Sequence, residues 1–256
     1  MLPNIYTDKE IEILREGGKI LNDILHAVAK AAQIGVTLDK LNSLAEQLIK
    51  EKGGQPAFLN YKTSKLSRPY PSSLCASVND EVVHGVARNN EYKLKEGDIV
   101  NLDLGLTYKG LVTDKTLMVG VGKLDSQDIN LIETTKLALE AGIQAVKHGN
   151  TTNDIGEEIE KVVDGRGFVV IKELGGHGVG RKVHEEPFVP NFREGKDGTV
   201  LKTGMVLALE PIVTTENGGI FLSEDGHTYK TDEGQNCAQW EDTILVTKDG
   251  FEILTR

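Results

Sequence analysis

Across residues 7–33, Ile11, Leu14, Ile20, Leu21, Ile24, Leu25 and Val28 recur at three- and four-residue intervals, which predicts a helix with one apolar face. Thr7-Asp8-Lys9-Glu10 opens it with capping-box spacing, Thr7 as N-cap and Glu10 at N3. Ile34-Gly35-Val36 breaks the pattern. Thr37 then starts a second helix carrying Leu38, Leu41, Leu44, Ala45, Leu48 and Ile49, which Gly53-Gly54 ends. The arrangement recurs later in the chain. Residues 125–148 read as a long helix, Gly149 interrupts, and Thr151 begins a helix with Ile155, Ile159, Val162 and Val163 that stops at Gly165. The offset is a constant 114, pairing Gly35 with Gly149, Thr37 with Thr151, Leu41 with Ile155, Ala45 with Ile159 and Leu48 with Val162. Two related α+β halves, about 1–122 and 123–256, explain this better than a repeat array, which needs more units.

After each helix pair the pattern changes to strands. They are expected at residues 72–78, 81–85 and 100–119 in the first half, and at 168–171, 205–214 and 238–247 in the second. Loops rich in glycine and proline fill 55–73, 185–198 and 216–236. Strands from both halves are expected to form one central antiparallel sheet backed by the four helices. No Ser/Gly linker divides the halves, so a single domain over 1–256 is expected.

Within 100–119, Val100, Leu102, Leu104 and Leu106 alternate with Asn101, Asp103, Gly105 and Thr107, the period of a strand with one buried face. A reversal at Tyr108-Lys109-Gly110 makes a hairpin, and a turn centred on Tyr108 and Lys109 sets Asp103 directly opposite Asp114. Like charges so placed repel, by roughly 1 kcal/mol at ~4 Å in water and about 4 kcal/mol at an effective dielectric of 20. A bound cation would relieve this; two solvated aspartates on an exposed face are the alternative.

Composition narrows the function classes. The chain has 256 residues, enough for a sizeable core, and a net charge of −10 that argues against an extended nucleic-acid interface. Cys75 and Cys237 are its only cysteines, too few for a disulfide scaffold or a four-cysteine zinc site, and suited to a reducing compartment. The first residues show no basic and apolar secretion signal, and no apolar run is long enough for a membrane span, so a cytoplasmic location is expected.

The densest chemical stretch is Gly175-Gly176-His177-Gly178-Val179-Gly180-Arg181-Lys182-Val183-His184-Glu185-Glu186-Pro187. Its glycines are expected to place His177 on a tight, uncrowded loop. The spacing fits neither G-x-G-x-x-G nor a phosphate loop, and H-E-x-x-H is absent. Two histidines within seven residues favour a functional role over a structural one. Glu210, in Met205-Val206-Leu207-Ala208-Leu209-Glu210-Pro211, and Glu241, in Gln239-Trp240-Glu241-Asp242, sit in apolar strands where carboxylates are rarely buried unpartnered. Alternation turns Asp242 to the opposite side from Glu241. Asp103, Asp114, His177, Glu210 and Glu241 together supply four carboxylates and one imidazole. Two divalent ions match that charge, and the donor set suits Mn²⁺, Fe²⁺, Co²⁺ or Zn²⁺. Ion pairs of this kind ~3.5–4 Å apart perform hydrolysis.

The segments Asn101-Leu102-Asp103, Thr113-Asp114, Gly176-His177-Gly178-Val179-Gly180, His184-Glu185-Glu186-Pro187, Leu209-Glu210-Pro211 and Gln239-Trp240-Glu241-Asp242-Thr243 resemble the type I methionine aminopeptidases over essentially the full length. The resemblance implies the pita-bread fold of two pseudo-symmetric halves. It also implies a dinuclear site bridged by Asp114 and Glu241, with Asp103 completing one metal and His177 and Glu210 the other. The implied reaction removes the N-terminal methionine from peptides and nascent proteins, favouring a small second residue. In it the substrate amine meets the Asp103 metal, Glu210 shuttles a proton to the leaving amine, His184 steadies the carbonyl oxygen and His84 contacts the scissile amide nitrogen. Tyr70, Cys75 and Val183 correspond best to the methionine pocket, with Phe58 and Tyr61 as further walls. A monomer acting at the ribosome, without direct nucleic-acid readout, is expected. Several positions depart from the family: the loop 61–70 is longer than in many bacterial relatives, Val183 stands where Phe is common, His227 where Trp is common, and Asp242 where His is usual. An Xaa-Pro aminopeptidase or prolidase is the nearest rival reading, and a non-enzymatic binding protein on the same fold the second.

Overall fold

The computed structural model describes residues 3–62, 68–195 and 197–256. Four helices appear where the periodicity places them: α1 Asp8–Ala31, α2 Leu38–Glu51, α3 Ser126–Gln144 and α4 Thr152–Gly165. Thr7, Thr37, Asp125 and Thr151 are the N-caps, each accepting a backbone N–H three residues on, and Thr7 and Thr151 close capping boxes. Gly35 and Gly149, the two breakers, both have positive φ, 83° and 91°. The third helix ends short of the expected residue 148, because the chain turns at Ala145 and the Asn150 side chain takes its carbonyl at 2.8 Å.

The first half contributes strands β1 Gln55–Pro56, β2 Leu74–Val78, β3 Glu81–Val83, β4 Ile99–Tyr108 and β5 Leu111–Gly120. The second contributes β6 Val169–Val170, β7 Gly175–Gly178, β8 Glu185–Pro190, β9 Val206–Leu209 and β10 Ile212–Thr214. It continues with β11 Ile220–Leu222, β12 Tyr229–Thr231, β13 Cys237–Gln239, β14 Asp242–Val246 and β15 Phe251–Ile253. Among the described residues these pair as four antiparallel ladders rather than one continuous sheet: β1-β4-β2 with β5 on β4, β13-β10-β6, β11-β12-β3, and β15-β14-β9-β7-β8. The expected strand 205–214 breaks at Glu210-Pro211, where proline has no N–H to give a ladder, and 238–247 breaks at Trp240-Glu241. On one side of the break β9 pairs with β14, Leu209 facing Asp242; on the other β10 pairs with β13, Ile212 facing Gln239. Both glutamates therefore lie where two strands change partners together.

The hairpin register also differs from expectation. Lys109 and Gly110 form the two-residue turn, with φ of 48° and 85°, and Tyr108 pairs with Leu111. Positive φ at both turn residues is what a type I′ hairpin demands, and the Lys109-Gly110 position satisfies it where Tyr108-Lys109 would not. Asp103 consequently faces Thr116, and Asp114 faces Gly105. The two aspartates are diagonal neighbours on one face, not directly opposed. The loops expected at 185–198 and 216–236 contain β8, β11 and β12.

Each helix pair buries its apolar face on its own half. Leu21, Leu25, Leu41 and Ala45 pack with Leu74, Leu102 and Leu104, while Leu131, Leu139, Ile155 and Ile159 pack with Leu207, Leu209 and Ile244. A third cluster, including Leu14, Tyr70, Cys75, Val112, Val179, Val206 and Leu254, draws on both halves. There α1 lies so close to the end segment that a Cβ on Gly18 would collide with the Leu254 carbonyl oxygen. Gly18→Ala is therefore expected to lower stability by about 1–3 kcal/mol in urea unfolding, the cost of overpacking against backbone that cannot move aside. An unchanged midpoint would mean that α1 does not rest on this segment.

Candidate metal centre

Asp103 on β4 and Asp114 on β5 point to the same face of their ladder as diagonal neighbours. The second ladder meets the first at an isolated bridge between Thr116 and Glu241. There Thr116 Oγ1 donates to Glu241 Oε2 at 2.8 Å. Ligand-capable atoms of Asp114, His177 and Glu241 all lie within 4.8 Å of one another. Glu210 joins through His177, its Oε1 standing 3.6 Å from His177 Nε2. The five candidate ligands thus converge although they come from five separate segments.

Each is held from behind. The His177 ring bonds through Nδ1 to the Gly178 carbonyl at 2.9 Å, which places the proton on Nδ1 and leaves the Nε2 lone pair facing the carboxylates. Gln239 Nε2 donates to Glu210 Oε2 at 2.8 Å, and Asn101 Nδ2 donates to Gln239 Oε1 at 2.6 Å. Asn191 Nδ2 donates to the Glu210 carbonyl at 2.9 Å. The main chain of Asp114 is tied at both ends to Thr243 Oγ1, at 2.9 Å from N and 2.7 Å to O. Asp103 Oδ1 is the exception, buried with no hydrogen-bond partner among the described residues. His177 sits on β7 between β8 and β9 and is buried, not on the open loop expected from its glycines.

Burial and mutual repulsion dominate the electrostatics. Desolvation, then the Asp114 and Glu210 charges, push the Asp103 carboxyl far above the usual range; desolvation and the neighbouring carboxylates do the same to Glu241, and desolvation and Asp114 to Glu210. Burial raises Asp114 to about 7 against an opposing hydrogen bond from the Lys115 N–H. Burial, followed by the nearby His184, lowers His177 to about 3, and burial with His184 and His227 lowers His84 to about 4. Unpaired carboxylates that cannot all ionise, neutral imidazoles and one orphaned carboxylate oxygen form a donor set that divalent cations fit.

The cluster lines one part of a cavity of about 600 Å³ whose other walls include Phe58, Tyr61, Tyr70, Cys75, His84 and His184. His84 follows β3 at a φ of 60° and stands edge-on to Tyr229, ring centres 6.1 Å apart. His184 bonds through Nδ1 to the Tyr61 hydroxyl at 2.8 Å, with its ring centre 4.4 Å from that of His177. Tyr70 donates its hydroxyl to the Gly85 carbonyl at 2.8 Å and meets His227 edge-on. Val183 is buried in the apolar cluster with Tyr70 and Cys75, behind the wall and not on the cavity surface. Residues 63–67 of the long loop lie outside the described residues; its flanks pair through Tyr70 N–H to the Tyr61 carbonyl at 2.9 Å. Asp242 faces away from the cavity, as alternation requires, and pairs with Lys115. Sequence reasoning passed over Asn101, Thr116 and Gln239, each two residues from a candidate ligand and so turned to the same side.

Comparison with known proteins agrees with this geometry. Residues 12–248 match the model of metallopeptidase family M24. The methionine aminopeptidase of Aquifex aeolicus is 40% identical over 257 residues, 100% of this chain and 99% of the relative. The crystal structure of methionine aminopeptidase from Rickettsia prowazekii superimposes with a TM-score of 0.94 at 35% identity, and that from Thermotoga maritima with 0.94 at 38%, each covering 100% of both chains. The fold is the pita-bread fold of these enzymes.

Proton linkage gives the site a signature. The raised carboxylates keep protons in the folded state that the unfolded chain loses near pH ~4, so stability falls as pH rises towards and beyond the folded value, about 7 for Asp114. The lowered histidines act oppositely, their stabilisation being complete above the unfolded value of ~6.5 and lost as pH falls through the window down to about 3 for His177. Above ~6.5 only the carboxylate effect remains. Scanning calorimetry in EDTA should therefore show the melting temperature falling from pH ~6.5 to ~8, and saturating Mn²⁺ should abolish that fall by holding the carboxylates ionised. A flat profile in EDTA would mean that folding does not raise these carboxylates.

Proposed function

The chain belongs to metallopeptidase family M24, and on that footing we propose that it is a methionine aminopeptidase, a metallo-exopeptidase that hydrolyses the first peptide bond and releases the N-terminal methionine. The observation that carries the reading is the convergence of Asp103, Asp114, His177, Glu210 and Glu241 on a cavity also lined by the apolar, aromatic and sulfur-bearing side chains of Phe58, Tyr61, Tyr70 and Cys75. The orphaned Asp103 Oδ1 and the free Nε2 of His177 support divalent metal binding there, and Asp103, Asp114, His177, Glu210 and Glu241 would hold two such ions. Bound divalent ions supply Lewis acidity and a water acidic enough to attack near neutral pH.

The protein's own groups do the rest. Gln239 fixes one oxygen of Glu210, and the other faces His177, where it can accept a proton and pass it to the leaving amine. His184, braced by Tyr61, presents Nε2 to the carbonyl oxygen as charge develops on it. His84, lining the same cavity, is assigned the scissile amide nitrogen. Tyr70, Cys75 and Phe58, with Tyr61 at the edge and Val183 packed behind, receive the methionine side chain, whose flexible thioether suits an irregular apolar wall. This reading assigns the free amine to the Asp103 end, where Cys75 is the cross-strand neighbour, and so confines the reaction to an N-terminus. On this reading residues 1–256 act as one domain, a cytoplasmic monomer working on nascent chains at the ribosome with preference for a small second residue. Among the described residues no helix is long and apolar enough to cross a membrane.

Purified protein with Mn²⁺ or Co²⁺ should release methionine from Met-Gly-Met-Met and leave Ala-Pro peptides largely intact. Preferential cleavage of Ala-Pro would instead align the chain with the prolidases, and no release of methionine would favour a binding protein. His177→Ala should cost more than ~100-fold in kcat/KM while the fold persists, because a direct ligand outweighs the 10–100-fold typical of its supports. Metal analysis should find Asp114→Asn depleted of both ions and Asp103→Asn chiefly of one.

A further inference from the structure

The two ladders that carry the candidate ligands meet at a narrow seam. β5 and β14 share no continuous register; Thr116 and Glu241 join them through a pair of main-chain hydrogen bonds, each 3.3 Å. Asp114 and Glu241 thus face each other across a junction with little backbone pairing of its own. On the cavity side Thr116 Oγ1 ties down the Glu241 carboxylate. On the reverse side, alternation places the next residue of each segment, Lys115 and Asp242, and their side chains form an ion pair only 4% and 2% exposed. Asp242 also accepts from Thr255 Oγ1 at 2.8 Å and from Arg256 Nε at 2.8 Å, and Arg256 reaches Glu140 of α3 at 2.7 Å. Charges taken so far from water are costly unless their geometry is fixed, and apolar side chains could fill the same space. Neither charge lines the cavity.

We propose that the Lys115–Asp242 ion pair, anchored by Arg256, is a positioning device that sets the separation of the Asp114 and Glu241 carboxylates across this seam. The proposal rests on the ligand assignment made above. A slide of β14 along β5 would pull the Lys115 ammonium from an oxygen whose place Thr255 and Arg256 already fix, so the pair resists the displacement that an apolar contact would tolerate. Lys115 and Arg256 also set two positive charges behind the mutually repelling carboxylates.

The paired variant Lys115→Met/Asp242→Leu removes both charges without stranding either. Titrating it with Mn²⁺ by calorimetry, in parallel with thermal melting and turnover of Met-Gly-Met-Met, separates positioning from plain stability. The melting temperature is expected to hold, Mn²⁺ affinity to fall about tenfold or more, and kcat to fall with KM unchanged. Lys115→Arg, which keeps the charge, is expected to retain Mn²⁺ affinity. Native Mn²⁺ affinity and kcat in the paired variant would overturn the proposal. Should that variant fail to fold, Arg256→Met serves, since the Arg256 side chain is 39% exposed and its loss spares the core; a weakening of Mn²⁺ binding by about threefold is expected, and no weakening overturns the anchored pair. Calorimetry reads Mn²⁺ without substrate, so this proposal and the aminopeptidase reading fail separately.

Discussion

Repulsion among buried carboxylates is the constraint that the rest of the structure answers. Four of them converge where water cannot dilute their charge, and each pair at ~4 Å repels by about 4 kcal/mol at an effective dielectric of 20. Flexible side chains on loops would swing apart. Here they cannot, because Asp103 and Asp114 stand within long paired strands, and Glu210 and Glu241 sit beside them with neighbours that fix their oxygens. The strands thus hold an arrangement that is unfavourable by itself, and the same repulsion becomes affinity once cations enter. Rigidity here does chemical work as well as structural work.

The device that brings the second pair of carboxylates into place is a coordinated change of partners. β9 runs on β14 up to Leu209 and Asp242, and beyond the break β10 runs on β13 from Ile212 and Gln239. Glu210-Pro211 and Trp240-Glu241 occupy the gap between the ladders. At the break the backbone finds other partners, Glu241 pairing with Thr116 and the Glu210 carbonyl accepting from Asn191, while both side chains turn towards the site. Pro211 fits the break because it has no N–H to leave unpaired.

This explains what could be read from the sequence and what could not. Helices and caps rest on local signals, so α1, α2 and α4 lie within a few residues of expectation, and the 114-residue correspondence survives in the matching caps at Thr37 and Thr151. The candidate donors were legible because a carboxylate in an apolar strand is conspicuous. Register was not, since it turned on positive φ at Lys109, which periodicity does not encode. The glycines around His177 misled for a physical reason. A Cβ at Gly176 would collide with the Ala208 carbonyl oxygen, and one at Gly178 with that of Glu186. They let strands approach closely, where sequence alone suggested a loop. The place of Val183 behind the pocket wall depends on tertiary packing and left no local mark.

The pseudo-symmetry has a further consequence for the site. Both halves supply a helix pair and a ladder, yet their donors differ: two aspartates from the first, a histidine and two glutamates from the second. Equivalent scaffolds therefore deliver unequal ligands. On the proposed assignment the Asp103 side is all oxygen and lies next to the Cys75 and Tyr70 wall, whereas the other side holds the imidazole and the proton-carrying Glu210. One end of the centre is thus built to receive a substrate amine and the other to manage a proton. Such a division of labour needs the two ends to keep a fixed separation. The stiffness of each ladder cannot set that distance, because it is measured between ladders. It has to be set where they touch, at Thr116–Glu241 on the cavity face, at the Thr243 hydroxyl clamped to the Asp114 main chain, and at Lys115–Asp242 behind.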